Sequence, residues 1–215
     1  MKKVIKVISS LIFSLLIIGA FPIKSESISN KFNLIETQLM DTNDFVENGV
    51  KIEYSVNQSI YKEKILIEEQ LKKVFGENVD INNNSIIYRD DSKEIKVLLW
   101  SDNENTKVQI TYINNNKNTN TLEIRKELKK IQNISAKNIK YFDFVRVKII
   151  EDQKQHLLEV LRNNIKQDTL EILDIYNGSV AKGRLYDGNR ISIGHIKYDT
   201  GEYLIIGTPV IFVTY

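Results

Sequence analysis

The chain has 215 residues, 42% of them hydrophobic and 27% charged, with a formal charge of +2; this is an ordinary globular composition and not a disordered one. It holds no cysteine, two histidines and two prolines. Zero cysteine excludes a disulfide scaffold, thiolate metal sites, thiol catalysis and attachment of a bacterial lipoprotein lipid.

Lys2, Lys3 and Lys6 precede a run of fifteen residues, 7–21, that is apolar except for Ser9, Ser10, Ser14 and Gly19. Pro22 ends the run, and Ser25 and Ser27 place small residues where a signal peptidase needs them. This is the layout of an export signal. The seventeen residues between Lys6 and Lys24 fall short of the about 20 that a spanning helix needs. Residues 1–27 are therefore read as a cleaved signal peptide, with a retained membrane anchor as the alternative. Without them 26 basic and 27 acidic residues remain, a charge of −1, and only six of the chain's 30 basic residues are arginine. Both counts argue against nucleic acid as a partner, and against any membrane contact beyond the leader.

Ile28, Phe32, Ile35 and Leu39 recur at helical spacing, and 41–49 reads as a break. Residues 28–48 are thus an N-terminal helix and linker. Residues 50–56 alternate as a strand. Ser59 opens a helix to Phe75, with Ile60, Ile67, Leu71 and Val74 inward and Gly76 as its stop. Strands follow at 85–89, 94–100 and 106–113, separated by Asp90-Asp91-Ser92 and by the polar residues 101–105. Asn120 with Glu123 forms a capping box for a helix carrying Ile124, Leu128 and Ile131. The pattern then restarts with a strand at 142–150. Asp152 with Gln155 suggests a second capping box, and Leu158, Leu161 and Ile165 face inward on the helix it opens. Four strands end the chain, at 170–176, 180–186, 191–198 and 203–214, the last divided or bulged at Gly207-Thr208-Pro209.

Strand, helix and antiparallel strands thus occur twice, over 49–133 and 134–215. The expected fold is α+β: two pseudo-symmetric units whose strands join into one curved sheet, with helices on one face. Joining the units edge to edge removes two exposed edges. Alternation turns Ile95, Val97, Leu99, Val108, Ile110 and Tyr112 toward the helices. It turns Lys96, Leu98, Trp100, Lys107, Gln109 and Thr111 outward. In the second unit Ala181, Gly183 and Leu185 pack inward, and Val180, Lys182, Arg184 and Tyr186 face out. Trp100-Ser-Asp echoes Tyr186-Asp-Gly, so each unit offers one aromatic at a strand end beside cations. The binding candidates are Trp100, Tyr186, Lys182, Arg184, Lys96, Lys107 and Gln109. Rings and amides suit an extended polymer such as a glycan or peptide; a solvated face with rim aromatics is the plainer reading.

No catalytic motif is present: G-x-S-x-G, H-E-x-x-H, P-loop and G-x-G-x-x-G are all missing. His156 reads as an exposed helix residue, and His195 has no serine or carboxylate partner identifiable in sequence. Asp90-Asp91 and Glu151-Asp152 fall at turns or helix starts, where carboxylates cap and solvate. No cofactor, metal site or catalytic residue is expected.

Ile206-Gly207-Thr208-Pro209-Val210-Ile211, running to Tyr215, resembles the ending of the YwmB family of exported Gram-positive bacterial proteins. Residues 178–186 and 191–198 fit that family's pattern loosely. Arg190-Ile191-Ser192 stands where an Asn-Leu-Gln-like triplet is usual, and Thr214 where an acidic residue is, so the resemblance is to a divergent member. It implies a fold similar to the TATA-box-binding protein, with two halves and a saddle-shaped sheet. It implies no catalytic residues. The functional expectation is a non-enzymatic, extracytoplasmic module of the cell envelope that binds a wall polymer or an envelope protein. The alternatives are nucleic-acid binding through the saddle and an unrecognised envelope hydrolase.

Overall fold

A computed structural model describes residues 29–213, so the export segment read at 1–27 lies outside the described residues. Helix α1 (Asn30–Thr42) opens on Ser29, whose hydroxyl accepts from the Phe32 N–H at 3.0 Å. Phe32, Ile35 and Leu39 are buried along one stripe. The expected break at 41–49 is far shorter. Strand β1 (Asp44–Val56) begins two residues after the helix ends, because residues 44–49 pair with the second half of the sheet. Helix α2 (Ile60–Phe75) is capped by Ser59 and stops at Gly76, whose φ of +109° favours glycine.

Strands β2 (Val79–Asn82), β3 (Ser85–Arg89), β4 (Lys93–Asp102) and β5 (Asn105–Asn114) form a meander. The four-residue β2 is too short and polar to show in an alternation pattern. Asn120 and Glu123 make the expected capping box of α3 (Thr121–Ile131). Strand β6 (Lys137–Lys148) follows. The second expected box does not form. Residues Glu151–Gln153 turn as a 3-10 helix, and α4 (Lys154–Asn164) starts without a side-chain cap. This moves the buried stripe to Leu157 and Val160, with Ile165 just past the helix end, and leaves Leu158 51% exposed. Strands β7 (Glu171–Ile175), β8 (Gly178–Arg184), β9 (Arg190–Tyr198) and β10 (Gly201–Thr208) complete the chain. Among the described residues β10 does not resume after Pro209, which has no N–H to give to a ladder.

The ten strands of the described residues form one antiparallel sheet in the order β2-β3-β4-β5-β1-β6-β10-β9-β8-β7. The order reads as two equivalent runs meeting at β1 and β6, and the element series α-β-α-β-β-β-β occurs twice. Val50 opposite Asp143 and Gly49 opposite Phe144 set the central register. Two cores lie on the helix side. One joins β1, β3, β4 and β5 to α2 and α3, through Ile67, Leu71, Ile124 and Leu128 among others. The other joins β6, β9 and β10 to α4 and to α1, through Phe32, Ile35 and Leu39. Each leading helix therefore packs in the far half: α1 in the core with β6, α3 in the core with β1.

The joint between the halves is polar and buried. Glu36 of α1 accepts from the Thr121 N–H at 3.0 Å, the Thr121 hydroxyl at 2.6 Å and Asn48 Nδ2 at 2.9 Å. Its carboxylate thus sits at the N-terminus of α3. Asn114 Nδ2 donates to the Asn48 side-chain oxygen at 2.8 Å. One strand over, Arg125 of α3 makes a bidentate pair with Asp143 of β6, both side chains buried. Burial raises the pKa of both carboxyls, favouring the protonated form. Glu36 reaches about 7, and Asp143 rises although Arg125 opposes the shift.

Candidate functional site

The face of the sheet away from the helices is uneven. Its first-half flank follows the alternation. Ile95, Val97, Leu99, Val108, Ile110 and Tyr112 are buried under the helices. Across the sheet, Trp100 stands opposite Lys107, Leu98 opposite Gln109 and Lys96 opposite Thr111. Trp100 is 43% exposed. Lys107 Nζ lies 3.4 Å from Asp102, and on the neighbouring strand Lys51 Nζ lies 2.7 Å from Glu53. Four of the candidate residues, Trp100, Lys96, Lys107 and Gln109, thus form one patch on β4 and β5: a ring, two cations and an amide on a solvated surface.

The other three lie far from it. Lys182 stands opposite Ser192 and Glu171, and Arg184 opposite Arg190. Arg184 Nη1 also donates to the Gly188 carbonyl at 3.2 Å. Tyr186 lies beyond the end of β8 in the turn to β9, held through its N–H to the Asn164 carbonyl at 3.1 Å, its side chain half-exposed. Inward packing of this strand is as expected: Leu185 is buried, and a Cβ at Gly183 would meet Leu170, Thr169 and Ile165. Five strands separate β4 from β8, roughly 29 Å at ~4.8 Å per step. The strand order also makes β4 correspond to β9, not β8. Trp100 and Tyr186 therefore do not occupy matching places, and the sequence echo between them pairs non-equivalent hairpins.

Between the two flanks the face is covered. Phe142 and Phe144 of β6 point away from the helices, opposite Lys51 and Gly49, yet they are 6% and 0% exposed. Ile205 of β10, on the same side opposite Arg146, is also buried. Part of the cover is the segment 209–213. Ile211 rests on Gly207, where a Cβ would stand 3.0 Å from its Cα and N. The Phe212 ring meets Phe144 edge-on at 5.0 Å, and Lys51 Nζ sits 4.1 Å from the Phe142 ring and 5.7 Å from that of Phe212. The sequence carried one sign of this. Phe142 and Phe144 alternate with Asp143, so one of the two faces had to hold two phenylalanines.

His195 has a partner that spacing did not reveal. Its Nε2 lies 3.2 Å from Glu202 Oε2, across the β9–β10 pair. Lys197 Nζ, 3.0 Å away, and Lys154 Nζ, 3.3 Å away, clamp the same carboxylate. Hydrogen bonds from Lys197 and His195 hold Glu202 down to about 2. Ser179 is the cross-strand neighbour of His195. Two shallow clefts lie elsewhere. One, of about 610 Å³, is at the β2–β3 turn beside Lys64; the other, of about 340 Å³, lies among Glu47, Arg89, Lys93 and Glu94. Among the described residues no three of His, Cys, Asp and Glu gather as a metal cage. No protein-family model and no curated protein matches this chain.

Proposed function

We propose that the protein is a non-enzymatic binding module of the bacterial cell envelope, exported by its leader, and that the β4–β5 flank of the outer face recognises a wall polymer or an envelope protein. The observation that carries this reading is the half-exposed Trp100 beside Lys107 and Gln109. A large ring kept in water on a polar sheet face offers a stacking platform, and the neighbouring amide and cations supply directional contacts. The two equivalent strand runs meeting at β1 and β6 support the YwmB-like resemblance and a saddle of the TATA-box-binding type. Trp100→Ala should cut capture on purified cell-wall material at least fivefold without lowering the melting temperature. Tyr186→Ala, on the far flank, should leave capture intact. Unchanged capture by Trp100→Ala refutes the reading.

Two other readings are weaker. A DNA-binding saddle uses basic residues and apolar wedges on its face. Here segment 209–213 covers the centre of that face, and the chain beyond the leader is slightly acidic. Retention on duplex DNA that falls steeply with salt would favour it. An envelope hydrolase draws on the His195–Glu202 contact with Ser179 alongside. The two lysines on Glu202 work against a basic His195–Glu202 couple. Loss of a hydrolytic activity in His195→Ala would favour that reading.

A further inference from the structure

The two ends of the sheet are built differently. β2 and β7 are its edge strands and hold the same place in the two equivalent runs. β2 is blunted, as exposed edges usually are. Its four residues alternate: Val79 and Ile81 stand opposite the buried Tyr88 and Ile86, while Asp80 and Asn82 face out. The Val79 N–H is already taken by the Glu77 carbonyl at 2.8 Å. Lys64 of α2 reaches over the strand end to the carbonyls of Asn82 and, at 3.2 Å, Asn83. β7 has none of these devices: no proline, no lysine and no register shift against β8. Over it α4 runs for 11 residues, against 16 in α2, and Ile172 on the helix side stays 68% exposed. Leu173 on the outer side is 57% exposed. Each face of β7 thus mixes apolar residues with one carboxylate, Asp174 or Glu171.

The main chain of β7 can be oriented from its neighbour. The Arg184 N–H donates to Thr169 Oγ1 at 3.0 Å and its carbonyl accepts from the Lys166 N–H at 2.8 Å, so the Arg184 groups face the β7 side of β8. Those of Asn177 and Leu185 bond the other way, to Lys197 and Asn189. Alternation then turns Lys182, Val180 and Gly178 toward β7, where they pair with Glu171, Leu173 and Ile175. The N–H and C=O groups of Ile172 and Asp174 are left pointing out of the edge. A second β7 laid antiparallel uses all of them in one register, with Ile172 opposite Asp174 of the second copy at both ends and Leu173 facing Leu173 at the dyad. No like charges oppose each other there: Asp174 meets Ile172, and Glu171 meets Ile175. The central leucines form a non-bonded pair, the kind whose side chains approach closest. Centring on Ile172 would leave the Asp174 groups unused, and centring on Asp174 would set two carboxylates face to face.

We propose that β7 is the interface of a symmetric dimer, in which a second copy of this chain continues the sheet across a dyad at Leu173. The edge is self-complementary in main-chain bonding and in charge, which a strand from an unrelated protein would not require. The β4–β5 flank lies toward the other end of the sheet and plays no part in this.

The chain has no cysteine, so one introduced cysteine allows a single disulfide, between copies. In this register the two Leu173 Cα atoms stand about 4.5 Å apart, within bridging distance. The two Ile172 Cα atoms stand about 8–9 Å apart, beyond it. Under mild oxidation the full chain with Leu173→Cys should cross-link at least about tenfold faster than the chain with Ile172→Cys. Sedimentation velocity should show a reversible dimer for the unsubstituted chain and monomers for Leu173→Lys and for Leu173→Glu; an equal mixture of these two should dimerise again. Near-UV circular dichroism and a thermal melt establish the fold of each variant, and every variant carries the same leader. If a cysteine variant does not fold, the lysine and glutamate mixture decides. Equal cross-linking at the two positions, an undiminished Leu173→Lys dimer, or a mixture that stays monomeric overturns the proposal. So does an unsubstituted chain that stays monomeric, which would leave the edge to another protein's strand. Open-ended growth would join β7 to β2 of the next copy and overturn the symmetric dimer.

Discussion

Glu36→Gln tests the polar joint most directly. Glu36 is 1% exposed and receives donors from Thr121 and Asn48, so its surroundings are built for acceptors. Burial nevertheless moves its ionisation from 4.5 to about 7, with the neighbouring Asp143 adding to the rise. The native state therefore holds the proton more tightly than the unfolded chain does. Its stabilising effect is complete below pH 4.5 and is lost as pH rises through about 7. At ~1.4 kcal/mol per pH unit, full ionisation forfeits about 3 kcal/mol of native stability. Glutamine mimics the protonated acid: its oxygen accepts from the Thr121 N–H and Asn48, and its amide donates to the Thr121 hydroxyl. Urea unfolding at pH 5 and pH 8 should show Glu36→Gln near the unsubstituted protein at pH 5 and about 2–3 kcal/mol more stable at pH 8. Glu36→Ala should lose stability at both, since it strands Asn48 and Thr121 without an acceptor. A Glu36→Gln variant less stable at pH 8 than at pH 5, relative to the unsubstituted protein, would refute the reasoning. The α3 N-terminus would then be holding an ionised carboxylate.

Three further outcomes follow from the packing. Arg125→Met leaves Asp143 buried without its bidentate partner and should cost about 3–5 kcal/mol in urea unfolding; Arg125→Met with Asp143→Asn should recover most of it. Gly49→Ala drives a Cβ into Phe144 and the Tyr112 carbonyl and should cost at least about 1–3 kcal/mol, read as a lowered melting temperature. Residues 134–213 expressed alone lack α1, whose Phe32, Ile35 and Leu39 belong to their core; they should show no cooperative melt until a peptide of residues 29–43 is added.

Much of the architecture was legible because local chemistry and global packing agree in it. Ser59, Asn120 with Glu123, and Gly76 mark helix ends by the hydrogen bonds and backbone angles they alone favour. The alternation over 95–99 and 108–112 places the first core correctly. The failures have two causes, long-range pairing and a local turn. Residues 44–49 look like a linker, because their polar character is answered by partners far along the chain: Asn48 by Glu36 and Asn114, and Glu47 by Arg146. Asp152 and Gln155 have the spacing of a capping box, but the 3-10 turn at Glu151–Gln153 takes up the chain first. Within α4 the buried residues are then Leu157 and Val160, one position before the expected Leu158 and Leu161, while Ile165 is buried as expected. His195 lacked a visible partner because Glu202 reaches it only through the β9–β10 hairpin.

The two halves share their element order yet treat the outer face differently, and this difference bears most on function. In the β4–β5 flank the outward residues are Lys96, Leu98, Trp100, Lys107, Gln109 and Thr111, a set that water can solvate. At β6 and β10 the corresponding side carries Phe142, Phe144 and Ile205. A sheet can keep one face wet only if that face is polar, so the central strip requires a cover. The chain supplies part of it in five residues, held by ring contacts and not by a strand ladder. Stability alone accounts for that arrangement: Ile211 on Gly207 and Phe212 edge-on to Phe144 take apolar surface out of water, which polar side chains at 142, 144 and 205 would not do. The recognising surface is then the flank that stays wet, where Trp100 is the large ring left 43% exposed beside Lys107 and Gln109.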